Sequence, residues 1–157
     1  MKTKSISIKE DHRYFINILK DKDDDVAYTF TKQIIDQSKQ SNKYYEYLLD
    51  VAELLNDSKS YVRTRAFMIC CAQARWDTDN KLEEIFPLMM MLLHDDKPTV
   101  VRKCISALKE VFKYKPDLIN RIKEELMNID LGKYKESMIS LIKKDIDELL
   151  IHEEKEK

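Results

Sequence analysis

The residues of this 157-residue chain that could carry chemistry are few and badly spaced for it. His12, His94 and His152 lie far apart in sequence, so no two of them form the close pair that a helical metal site uses. Cys70 and Cys71 are neighbours, which on a helix point about 100° apart. With Cys104 they make an odd number without CxxC spacing, and reduced, buried thiols are expected. A single glycine, Gly132, leaves no material for a phosphate-binding loop, and no serine stands in a nucleophile elbow. Carboxylate pairs such as Glu83-Glu84 and Glu124-Glu125 are what solvated faces produce when 36% of residues are charged, so they select no acid–base site. The chain is expected to be no enzyme and to use neither metal nor cofactor.

Two arginines carry more pattern. Val62-Arg63 and Val101-Arg102 stand 39 residues apart, and each pair follows a Leu-Leu doublet and an acidic break, NDSKS or HDDKP. The planar guanidinium matches a carboxylate in two parallel hydrogen bonds. Arg63 and Arg102 are therefore expected to pair with Asp57, Asp95 or Asp96 at the turns and to act structurally. The run Met89 to Met91 cannot all face one core, so part of it is expected at the surface, where thioethers adapt to partners. Trp76, at a break between helices, is expected to anchor packing.

Placing these residues requires helices. One glycine and three prolines leave almost no vocabulary for hairpins, whereas Leu, Ile, Lys, Glu and Met abound. Tyr14, Phe15, Ile18 and Leu19 form a first apolar stripe. Further helices are predicted over 24–38, from Tyr44 to Leu55, and over 60–75, 78–94, 98–113, 116–129 and 134–152. Pro87 should kink or split the fifth, and Pro98 should open the sixth. The expected organisation is one domain over 1–157: an N-terminal helix over 1–22, repeats over 23–152 and a frayed tail over 153–157. Eight helices with short connections read as antiparallel pairs, either in a plain bundle or, given a period of about 36 to 40, in a stack of repeated units.

The residues Asp57, Val62, Arg63, Ala66 and Cys70, and again Asp95, Val101, Arg102, Ile105 and Leu108, resemble the HEAT and armadillo helical repeats. Those units pass from an acidic turn into a Val-Arg pair. The resemblance covers about Asp23 to Leu150 and implies an all-α superhelix of about eight antiparallel helices. It also implies that the arginine stacks between neighbouring units.

Two functions follow as expectations. The first is a non-enzymatic module that binds a protein or peptide on a concave face lined by the third, fifth and seventh helices, taken as second members of their pairs. Its candidate contact residues are Tyr44, Tyr47, Glu83, Glu84, Met90, Asn120, Arg121 and Glu124. The second is a nucleic-acid enzyme, because YVRTRAF and RWD resemble stretches of the HEAT-like alkylpurine DNA glycosylases. Against it stand the short chain, one tryptophan and a net charge of −1, which gives no global attraction to polyanions. The longest apolar run, IFPLMMMLL, is far below the ~20 residues of a spanning helix, and no secretory leader is read at the N-terminus. A cytoplasmic, membrane-free protein with a protein partner is expected, and nothing indicates its oligomeric state.

Overall fold

The computed structural model describes the backbone of residues 4–156 and the side chains of residues 11–155. The reading of the leader rests largely on side chains outside these bounds, as does Lys157 of the expected tail. Among the described residues there is no strand, and eight α-helices follow one another: α1 (Lys4–Leu19), α2 (Asp24–Ser38), α3 (Leu48–Ala52), α4 (Ser60–Ala72), α5 (Lys81–Met91), α6 (Pro98–Tyr114), α7 (Ile119–Met127) and α8 (Glu136–Glu156). The even-numbered helices begin at residues 24, 60, 98 and 136, steps of 36, 38 and 38. The fold is an all-α stack of helix pairs with the period expected from the sequence.

The starts have local causes. Asp23 accepts hydrogen bonds from the backbone N–H groups of Asp25 and Val26, satisfying donors that the first turn of α2 leaves unpaired. Asp57 accepts from the N–H of Lys59 at 2.9 Å, and Asp95 does the same for Lys97 at 3.0 Å. Both aspartates share one extended backbone conformation, so NDSKS and HDDKP are the same turn made twice. Pro98 occupies the first turn of α6, where its missing N–H costs nothing. Pro87 does not split α5. It sits on the exposed side of a continuous helix, where water can take the carbonyl left without a donor.

Two differences from the expected elements have physical reasons. The stretch YYEYLLDVAELL is not one helix but α3 flanked by 3₁₀ turns at Tyr45–Tyr47 and Glu53–Asn56. Residues i and i+3 eclipse in a 3₁₀ turn, which sets Tyr44 and Tyr47 on one side, their rings 6.2 Å apart and both against Phe15. At the other end α8 runs to Glu156, beyond residue 152, and Glu153 is 5% exposed with an ion pair to Lys123 at 2.8 Å.

The helices form two layers. Helices α2, α4, α6 and α8 pack side by side in chain order, while α1, α3 and α5 make the second layer, to which α7 is tied by side chains, Arg121 to Glu83 and Glu125 to His94. The core lies between them and includes Phe67, Leu82, Leu93, Ile105, Leu108, Ile122 and Ile142, all fully buried. Each such side chain contributes about 1.5–3 kcal/mol by leaving water. Cys70, Cys71 and Cys104 are free thiols within this core. Helix α3 packs on α4, and the turn ending α5 packs on α6. The odd-numbered helices are thus the first members of their pairs, opposite to the order read from the sequence, yet they still share one layer.

Candidate functional site

Arg63 is the fourth residue of α4, and its guanidinium closes a joint between repeats. Nε and Nη2 donate to the two oxygens of Asp95 at 3.0 and 3.1 Å, while Nη1 donates to the carbonyls of Asp57 and Ser58 at 3.0 and 3.2 Å. The two side chains are only 17% and 10% exposed, so this bidentate pair is largely shielded from water. The expected pairing of Arg63 with an acidic turn is what the structure shows.

Arg102 does otherwise. It donates to Asp145 of α8, from Nε at 2.7 Å and Nη2 at 3.2 Å, and this carboxylate holds its protonated form more firmly than usual. The Val-Arg pairs are 39 residues apart, but α4 and α6 start 38 apart, at Ser60 and Pro98. Arg102 is therefore the fifth residue of its helix, rotated by about 100° from the position of Arg63. That rotation turns it from the Asp95 turn toward α8.

Other polar ties repeat the spacing. Arg65, 4% exposed, donates to the Leu19 carbonyl and pairs with Asp24 at 2.8 Å. Trp76 donates from its indole nitrogen to the Ser38 carbonyl at 2.6 Å, so it anchors packing as expected. Asp77 is a buried hub. It accepts from the Tyr45 hydroxyl and from the N–H groups of Lys81 and Leu82, and it pairs with Lys115 at 3.2 Å. Burial and this carboxylate together push the Tyr45 hydroxyl far above its ordinary pKa. The position of Asp77 in a break marks it as a cap for α5, but its ties to Tyr45 and Lys115, like the roles of Arg65 and Lys115, were missed in the sequence, since nothing local distinguishes these residues from solvated charges.

The joints leave a groove between α5 and α7. These helices are linked by long side chains: Arg121 donates to Glu83 at 2.6 Å and covers the Phe86 ring at 4.2 Å, and His94 bonds Glu125 at 2.8 Å. Between them lies an open cavity of about 500 Å³ lined by Phe86, Pro87, Met90, Met91, His94, Arg121, Glu124 and Glu125. Among the described residues no group of three or more His, Cys, Asp or Glu could hold a metal ion.

The structure brings some candidate contacts to this groove and withdraws others. Arg121 and Glu124 line it, Glu83 is tied to it through Arg121, and Glu84 and Asn120 are exposed on α5 and α7. Met90 touches the floor but is 4% exposed; the outward methionine is Met91, at 57%. A helix turns by about 100° per residue, so one position decides which of the three faces out. Tyr44 and Tyr47 are half-buried, because α1 lays Phe15 against them; Phe15 and Tyr47 stack at 4.4 Å. Phe86, Pro87, His94 and Glu125 were missed, although Pro87 two residues before Met89 marked the same helix.

No helix among the described residues is long and apolar enough to cross a membrane. No curated protein and no solved structure matches the chain. The family model for non-SMC mitotic condensation complex subunit 1, Cnd1, matches residues 39–142, two thirds of the length, and takes in both Asp turns, the Arg63 joint and the groove. The chain accordingly belongs to the Cnd1 family of HEAT-type helical repeat proteins.

Proposed function

We propose that the chain is a non-enzymatic interaction module that holds a partner protein on the layer formed by α3, α5 and α7, with the groove between α5 and α7 as its centre. One observation carries this reading: the most exposed residue of the Met run, Met91, stands at the rim of an open groove floored by Phe86 and Met90. Aromatic and thioether surfaces give contact area at small entropic cost, and their exposure to water alone is unfavourable. Membership of a family described as a subunit of a complex supports the same reading. The buried thiols suit a reducing compartment such as the cytoplasm.

The test is site-specific photo-crosslinking. A photoreactive residue at position 91 is expected to give a discrete protein adduct in cells, whereas the same residue at position 103, on α6 in the opposite layer, is not. Adducts from position 103 alone would move the binding face to the even-numbered helices and defeat the proposal. Tight, salt-sensitive retardation of duplex DNA by the full chain would instead favour nucleic acid as the partner.

A further inference from the structure

We infer that the groove between α5 and α7 takes an amphipathic helix whose apolar residues are flanked by lysine or arginine. The inference rests on the interaction reading above and adds the chemistry of the partner. Along α5 the residues Glu84, Pro87, Leu88 and Met91 are all exposed and spaced i, i+3, i+4, i+7, so they form one outward stripe. Along α7 the residues Asn120, Glu124 and Met127 form a second, in which Met127 is 84% exposed. Three of the large apolar side chains left in water, Leu88, Met91 and Met127, therefore belong to the two helices that border the cavity. An unbranched thioether can repack around different apolar shapes, which suits a groove that receives a helix.

Charge selects among apolar partners. Glu124 and Glu125 line the groove and Glu83 and Glu84 are exposed on the bordering α5; two of the four already face partners, Glu83 holding Arg121 and Glu125 holding His94. Glu84 and Glu124, one on each bordering helix, are exposed and make no ion pair among the described residues. An incoming helix would meet apolar surface at its centre and excess negative charge on both sides. Lysine or arginine beside its apolar stripe answers both. A second copy of this chain does not, since its corresponding face would present the same carboxylates.

The experiment uses the whole chain and two fluorescent synthetic helical peptides with the same leucine stripe, one flanked by lysine and the other by glutamate. Anisotropy titration is expected to show about micromolar binding of the lysine peptide and binding at least roughly tenfold weaker for the glutamate peptide. The double variant Glu84→Lys with Glu124→Lys should weaken the lysine peptide by about tenfold or more, and Met91→Asp should weaken it too. Tyr61→Ala, on the opposite layer, should change nothing. These side chains are exposed, and an unchanged circular dichroism spectrum will show that the variants fold. Equal binding of both peptides, no binding of either, or lysine-peptide binding that survives charge reversal would overturn the inference. None of these results bears on whether position 91 crosslinks a protein, so the broader proposal stands or falls separately.

Discussion

Replacing Arg63 by alanine should destabilise the protein markedly without touching the groove. The substitution removes four hydrogen bonds, two to Asp95 and two to the carbonyls of Asp57 and Ser58. It also leaves the Asp95 carboxylate, 10% exposed, without its cation. Breaking a fully buried pair costs about 3–5 kcal/mol. Some water reaches this one, so the cost should be about 2–4 kcal/mol, a fall in melting temperature of about 5–15 °C for a chain of this size. Arg63→Lys keeps the charge but not the fork, and should recover only part of the loss. The double variant with Asp95→Ala should cost less than the two single changes added together, because the second removes a group already orphaned. Glu83→Ala serves as the comparison. It breaks an ion pair whose partners are 48% and 53% exposed and should cost under about 1 kcal/mol. Calorimetry that finds Arg63→Ala as mild as Glu83→Ala would refute the account of the joint.

Arg102→Ala should cost less than Arg63→Ala, about 1–2 kcal/mol, since Arg102 bonds one carboxylate and is 36% exposed; urea midpoints will rank the two. Asp77→Ala should cost about 3–5 kcal/mol in the same assay, because it leaves the Tyr45 hydroxyl and two N–H groups at the start of α5 without an acceptor and takes the carboxylate from Lys115, which keeps Asn80 and a backbone carbonyl. Met90→Ala should cost about 2–5 kcal/mol by opening a cavity, whereas Met91→Ala should stay within about 0.5 kcal/mol. Burial raises the folded-state pKa of Cys70, Cys71 and Cys104 above the ordinary thiol value of 9.0, so the folded chain keeps protons that the unfolded chain releases. Their contribution is complete below that value and is lost progressively as pH climbs from it toward the raised folded values, so melting temperature should fall on the alkaline side, and thiol reagents should label the native state slowly.

Much of the fold could be read before any coordinates, for reasons that sit close together in the chain. Aspartate at a turn, proline at a first helical position and a period of 36 to 38 are local signals, and the joint of Arg63 with Asp95 follows from them. What escaped was mostly rotation. The one-residue difference between the Val-Arg spacing and the helix starts sends Arg102 to Asp145, and only the position of Pro98 in its turn reveals it. Met90 and Met91 exchange roles for the same reason, because apolar residues on every side of IFPLMMMLL do not fix the phase of the helix. Periodicity puts Tyr44 and Tyr47 on an open face because it shows which residues share a side, not that α1 covers it. Asp77 sits in a short break, RWDTDN, whose aspartates read as caps for the following helix, and Asp77 does accept from the first N–H groups of α5. Its burial is a property of Tyr45 and Lys115 arriving from 32 residues before and 38 after.

The joints also determine how the chain would carry a mechanical load. The polar ties that bridge repeats join residues between 31 and 46 apart, from His94 with Glu125 to Arg65 with the Leu19 carbonyl, and among the described residues none fastens α1 to α8. Tension applied to the two termini therefore passes through the joints in series, each bearing the whole force. The weakest gives first and the others relax without breaking. Between ruptures the molecule stretches by small changes of angle at every joint, a compliance that a bundle tied across its centre could not have.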